Sequence, residues 1–243
     1  MSPSAAEELV IEVDGATCVP GLLHRASCPR AILALAHGAG AGMRHAFLSE
    51  MACGLAHRGI STLRYEFPYM ARGSRRPDPP TVCHSTVRAA VEAARGIAPS
   101  LILLAGGKSF GGRMTSQAQA SNPLPAVRGL VFLGFPLHPP KEPSSARALH
   151  LARIEIPMLF LQGSRDEFAN QAHLMPVIET LGARAQLRLL RDADHSFHVP
   201  VRSGRTDAEV RDEMLGAIAA FSDQLGGNAS VQDADPGSRS SSH

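Results

Sequence analysis

The most constraining stretch of this chain is Leu101–Met114, LILLAGGKSFGGRM, where an apolar segment runs into a crowd of glycines. Leu101 to Ala105 is short and continuously apolar, as in a strand buried on both faces. Gly106-Gly107-Lys108-Ser109-Phe110-Gly111-Gly112 interrupts it, and a helix-compatible segment begins at Arg113. Within this stretch lies G-x-S-x-G, Gly107 to Gly111. A serine wedged between strand and helix needs a strained backbone, and glycines two residues to either side leave room for the sharp turn. Such a turn thrusts a hydroxyl out at the strand's end, with a helix N-terminus behind it to favour developing negative charge. Ser109 is therefore read as a nucleophile.

Two rivals use the same residue types. A phosphate-binding P-loop, G-x-x-x-x-G-K-[ST], would need glycine at position 102, where Ile102 sits inside the strand. The second glycine-rich turn, His37-Gly38-Ala39-Gly40-Ala41-Gly42-Met43, follows the apolar run Ala31–Ala36 and invites a dinucleotide fingerprint. G-x-G-x-x-G would need glycine where Met43 stands, although Glu66 could imitate the ribose-binding acid. The turn is better read as a loop presenting backbone N–H groups beside the nucleophile.

The rest of the chain alternates. Leu9–Val13 and Gly21–His24 read as a hairpin turning at Asp14-Gly15, followed by strands at Ala31–Ala36, Ile60–Tyr65, Leu101–Ala105, Gly129–Leu133, Pro157–Leu161 and Ala185–Leu190. Helical patterns cover His45–Arg58, a segment from Thr81 to near Gly96, one after the glycine turn, Ser144–Arg153 and Gln171–Leu181. Thr206 with Glu209 makes a capping box for a last helix through about Leu225. Strands alternating with helices predict an α/β fold with a mainly parallel sheet covered on both faces. Residues 1–225 form one domain on this reading, and 226–243, rich in Gly, Ser, Asp and Asn, a disordered tail.

Composition narrows the function class. A formal charge of +2 makes no case for nucleic acid or membrane binding, and no apolar stretch approaches the roughly 20 residues of a membrane span. Cys18, Cys28, Cys53 and Cys83 lack metal-ligand spacing, so no metal is expected. The acidic N-terminus, MSPSAAEELV, has no apolar core of a signal peptide, and a cytoplasmic setting follows.

Parallel sheets bind ligands at the carboxyl ends of their strands, and His37–Met43, Ser109, Asp166 and His195 all fall at such ends. A serine needs a base to take its proton and an acid to orient that base. The chain supplies Ser109, Asp166 and His195 in the order of the α/β-hydrolase fold. The rival reading of Asp166 is a helix-capping or turn aspartate, with Glu167 as the adjacent substitute, and His198 competes with His195; Asp192 and Asp194 read as turn residues. Oxyanion donors are expected from the N–H of Phe110 and that of Ala39, with Gly40 as alternative. Lys108 and Arg113 flank the turn, and Arg72, Arg75 and Arg76 sit in a proline-rich loop; these cations either meet an acidic substrate or face solvent.

LALAHGAGAGM, GGKSFGGRM, LFLQGSRDE and ADHSF together resemble the dienelactone-hydrolase-related branch of the α/β-hydrolases, over about Ala31–Leu225. The resemblance is strongest to a sparsely characterised family that includes a testis-expressed protein and the hydrolase-like region of a chromatin-complex subunit. It implies a serine hydrolase acting on a small-molecule acyl substrate through Ser109, Asp166 and His195, with no cofactor. Dienelactone hydrolase itself uses cysteine where this chain has Ser109, so its substrate is not carried over. The chromatin relative leaves open a second reading, an idle hydrolase fold used as a binding module. Only 23 residues (134–156) separate the strand ending at Leu133 from Pro157, too few for a large helical lid, which predicts an open site suited to short or bulky exposed esters.

Overall fold

The computed structural model describes residues 6–139 and 141–232. The N-terminal hairpin pairs β1 (Glu7–Glu12) with β2 (Cys18–His24), and its turn is held by Asp14, whose Oδ1 accepts the Thr17 N–H at 2.8 Å. The apolar runs become β3 (Ala31–Ala36), β4 (Ile60–Tyr65), β5 (Ile102–Lys108), β6 (Val127–Leu133), β7 (Met158–Gly163) and β8 (Ala185–Leu190). The eight strands form one sheet in the order β1-β2-β4-β3-β5-β6-β7-β8, antiparallel at β1/β2 and β2/β4 and parallel elsewhere.

Helices cover both faces. On one, α1 (Ala46–Ala56) and α6 (Asp207–Gln232) pack Leu48, Met51, Val210, Met214 and Ile218 against Leu33, Leu104 and Val131. On the other, α3 (Pro80–Ile97), α4 (Phe110–Ser121) and α5 (Gln171–Leu181) pack Val87, Val91, Met114 and Leu174 in a core with Ile32, Phe132 and Phe160. A one-turn helix, α2 (Pro68–Ala71), follows β4. Burial of both sheet faces explains why β3 and β7 read as unbroken apolar runs.

Besides α2 and a start of α4 at Phe110 instead of Arg113, further local outcomes differ from the sequence expectation. β5 continues past Ala105 through both glycines to Lys108. A Cβ on Gly106 would stand 1.9 Å from the Val131 carbonyl oxygen, so glycine here lets β5 and β6 close together instead of ending the strand. The segment before β7 forms a 3-10 helix, Ala146–Arg153. The last helix passes Leu225 to Gln232, so the tail does not begin at Gly226. Each glycine at 226 and 227 costs about 1 kcal/mol against alanine, but Ile218, Phe221 and Leu225 already anchor this helix on the sheet. The rest of the expected tail, 233–243, lies outside the described residues.

The helix opens as foreseen, with Glu209 Oε2 accepting the Thr206 N–H at 2.7 Å and Thr206 Oγ1 accepting the Glu209 N–H at 3.2 Å. Among the described residues, the chain between β6 and β7 carries only the 3-10 helix, with no large lid. No described helix is long and apolar enough to cross a membrane.

Candidate active site

Ser109 stands between β5 and α4 with φ 50° and ψ −112°, a left-handed backbone that a non-glycine residue adopts at a cost of order 1–3 kcal/mol. Close packing fixes the turn. A Cβ on Gly107 would lie 2.7 Å from the Ala36 carbonyl oxygen, and one on Gly111 2.5 Å from that of His37. The glycines of G-x-S-x-G are thus needed for the approach of α4 to the end of β3.

The structure brings Ser109, His195 and Asp166 together. His195 Nε2 lies 2.9 Å from Ser109 Oγ, and His195 Nδ1 lies 2.7 Å from Asp166 Oδ2. With Nδ1–H donated to the carboxylate, Nε2 is the acceptor facing the serine hydroxyl. Asp166 is buried, and its Oδ1 accepts the Phe168 N–H at 2.8 Å while Oδ2 also accepts Gln162 Nε2 at 2.5 Å. Gln162 in turn accepts the Phe135 N–H at 2.9 Å, which ties the carboxylate to the end of β6. Nothing in the sequence singled out Gln162, because a lone glutamine at a strand end carries no pattern. Phe168 packs its ring 4.3 Å from that of His195.

The competing residues are elsewhere. His198 is exposed and bonds Asp207 at 2.8 Å, and Asp207 holds its pKa above the ordinary imidazole value. Glu167 is exposed. Asp194 Oδ1 accepts the N–H groups of Ser196 and His198 at 2.8 and 3.0 Å and so shapes the turn that carries His195.

The first loop is built around its backbone. His37 is buried, with Nδ1 donating to the Gly38 carbonyl at 2.7 Å and Nε2 accepting the Phe67 N–H at 3.1 Å. Glu66 Oε1 accepts the Met43 N–H at 3.0 Å, a use unlike ribose binding. Gly40 donates its N–H to Tyr69 Oη at 3.3 Å, which removes it as a donor toward Ser109. Ala39 remains exposed on the wall of the site, and Phe110 heads α4, where first-turn N–H groups have no intrahelical acceptor.

Lys108 is more than a flanking charge. Its ammonium is enclosed although the residue keeps some exposure, and it donates to the His195 carbonyl at 2.5 Å. Burial pulls its pKa down to about 8, against the opposing pull of Asp166 and Asp194. The ammonium also stands 4.9 Å from the centroid of the Phe197 ring. Arg72 pairs with Asp78 at 2.6 Å, and Arg75 and Arg76 are exposed.

A cavity of about 360 Å³ opens over Ser109, bounded by Ala39, Phe47, Lys108, Phe168 and His195. A larger one of about 680 Å³ lies at the opposite ends of the strands, beside Arg25, Arg30 and Arg58. Those arginines are already neutralised by Glu7, Asp223 and Asp212, so size does not make it the reactive site.

The model of a family described as an alpha/beta hydrolase domain matches residues 29–223. A lidless α/β serine hydrolase from Xanthomonas campestris superposes with a TM-score of 0.70 at 18% identity, covering 90% of this chain and 96% of that one. An α/β serine hydrolase homologue from Coxiella burnetii gives 0.70 at 17% identity over 88% and 98%. A dienelactone hydrolase from Anabaena variabilis gives 0.67 at 19% identity over 93% and 97%. At these identities the structural likeness is one of fold.

Proposed function

This chain belongs to the alpha/beta hydrolase domain family, and from that premise we propose that it is a serine hydrolase cleaving carboxylic esters or related acyl compounds. The observation carrying the proposal is the unbroken relay from Ser109 Oγ through His195 to Asp166, at 2.9 and 2.7 Å. Ser109 Oγ attacks the acyl carbon as His195 Nε2 takes its proton. The carbonyl π electrons move to oxygen, and the oxyanion is received by the N–H groups of Phe110 and Ala39, each such donor contributing on the order of 10²–10³ in rate. Collapse expels the alcohol, which leaves with the proton held on Nε2. Water then repeats the sequence on the acyl-enzyme and releases the acid. Asp166 keeps the imidazole in the required tautomer throughout.

The rest of the reading follows from the same features. The open cavity and short β6–β7 connection suit small or exposed acyl groups over long chains. The motifs LALAHGAGAGM and GGKSFGGRM support a position near the testis-expressed and chromatin-subunit branch. Four unpaired cysteines agree with a reducing, cytoplasmic setting. An intact relay gives no reason to prefer the idle binding module.

Covalent labelling with a fluorophosphonate probe tests the proposal. Wild type should label, and Ser109→Ala and His195→Ala should not. A folded wild-type protein that resists the probe would turn the reading toward the binding module.

A further inference from the structure

Most arginines around this fold have identifiable partners. Arg25, Arg30, Arg58, Arg205 and Arg211 meet carboxylates. Buried Arg64 donates to the Met43 carbonyl and Ser49 Oγ, and Arg88 to the carbonyls of Ala118 and Asn122. Arg113 differs. It is half-buried, its Nε is enclosed without a hydrogen-bond partner, and among the described residues it has no ion pair. Burial, then the neighbouring Arg147 cation, holds its pKa below the ordinary guanidinium value, with the Cys83 thiol opposing. The surroundings are cationic as well. His150 is pushed down to about 4 by burial first, then by Arg153, Arg113 and His84.

The position of this unbalanced charge is informative. The Arg113 N–H donates to the Ser109 carbonyl at 3.1 Å, so the residue lies one turn along α4 from the nucleophile. Helical side chains lean toward their helix N-terminus, so the guanidinium flanks the turn beside Phe110, next to and not within the lining of the cavity over Ser109. The guanidinium carbon stands 5.9 Å from the ring centroid of Phe110, whose N–H is the proposed oxyanion donor. Enclosing part of a cation without a counter-ion is unfavourable, and perturbed, unpaired charged groups beside a cleft gather at functional sites. A guanidinium fork matches a carboxylate in two parallel hydrogen bonds.

We propose that Arg113, with Arg147 beside it, receives a carboxylate carried by the substrate, so that the preferred substrates are esters bearing a carboxylate in the acyl or alcohol half. The proposal rests on the serine hydrolase reading above and names the substrate class of that site.

Two matched pairs of esters test it. 4-Nitrophenyl hydrogen adipate is compared with 4-nitrophenyl hexanoate, and 4-acetoxybenzoate with 4-methylphenyl acetate. Wild type should favour the anionic member of at least one pair by roughly ten-fold or more in kcat/KM, as expected for a charge-assisted bidentate contact. The pair that responds assigns the carboxylate to the acyl or the alcohol side. Arg113→Met should cut that preference about ten-fold, mainly through KM, and Arg113→Lys should keep part of it. A wild-type preference near one in both pairs, or a preference untouched by Arg113→Met, overturns the proposal. Calorimetry with monomethyl adipate gives a readout independent of turnover. Binding to Ser109→Ala that disappears on adding Arg113→Met supports the anion site even if none of the four esters is hydrolysed by wild type, a result that would instead count against the hydrolase reading. No binding and no turnover overturns both.

Discussion

Gln162 offers the sharpest single perturbation of the relay. It is fully buried at the end of β7 and makes two bonds, Nε2 to Asp166 Oδ2 at 2.5 Å and Oε1 from the Phe135 N–H at 2.9 Å. Gln162→Leu removes a donor to a charged acceptor, costing about 1.5–3 kcal/mol, and leaves a buried N–H unpaired, costing about 1–3 kcal/mol. The added apolar burial offsets roughly 1–2 kcal/mol of this. A net loss of about 3 kcal/mol lowers Tm by about 6–12 °C for a domain of this size. Asp166 keeps the Phe168 N–H and His195, so the relay survives in looser form, and kcat should fall roughly ten-fold with KM little changed.

Gln162→Glu separates the two bonds, because it retains the acceptor for Phe135 and changes only the side facing Asp166. Protonated, the introduced carboxyl donates to Asp166 as the amide does; ionised, it repels Asp166 at hydrogen-bond distance. Its activity relative to wild type should therefore decline as pH rises. Thermal unfolding and steady-state ester hydrolysis across about pH 5 to 9, the range toward which burial beside Asp166 raises the introduced carboxyl, read both effects. A Gln162→Leu protein melting within about 2 °C of wild type, less than the shift expected for 1 kcal/mol, would refute the reasoning. So would a Gln162→Glu variant whose pH profile follows wild type.

Lys108→Met should lower kcat by freeing the His195 carbonyl yet raise stability by on the order of 1–3 kcal/mol below pH 8, since it removes an enclosed ammonium whose pKa sits at about 8. A lysine titrating lower in the fold than in the unfolded chain makes wild type gain stability as pH rises from about 8 toward 10.5, and chemical denaturation should show this rise vanish in the variant. Gly111→Ala, whose methyl would meet the His37 carbonyl at 2.5 Å, should abolish fluorophosphonate labelling, whereas Gly96→Ala, with nothing within 4 Å of its methyl, should stabilise α3 by up to about 1 kcal/mol. His198→Ala should leave hydrolysis within about two-fold of wild type, since surface changes away from a site rarely matter. It should also remove the small stability gain from the raised His198 pKa, present below the ordinary value of 6.5 and fading above it.

Much of this architecture was legible in the residues because apolar runs and helical spacing alternate along the chain. Apolar runs marked β3, β5, β6 and β7, and the bounds of β4, α5 and β8 matched the sequence reading. Ser109, Asp166 and His195 could be singled out because each follows a strand and a parallel sheet gathers such ends. What escaped were contacts between residues distant in the chain and without a pattern of their own. Gln162 supports Asp166, Tyr69 occupies the Gly40 N–H, and Lys108 reaches the His195 carbonyl. Gly106 misled for a related reason: glycine in a sequence reads as a break, whereas here it permits close strand pairing at Val131.

The edge position of β1 bears on how the molecule keeps apart from its own copies. An outermost strand presents unpaired backbone groups to any neighbour, and Val10, 74% exposed, adds an apolar contact there. Its sequence, EELVIE, opposes recruitment with acidic side chains, Glu12 without an ion pair among the described residues and Glu7 and Glu8 shared with exposed Arg25 and Arg44. Two copies meeting antiparallel about Leu9 and Val10 would set Glu7 against Glu12, and a slip centred on Val10 would set Glu8 against Glu12. Either register brings carboxylates face to face, which destabilises the pair. The strand that closes the sheet thereby carries its own guard against growth into a larger one.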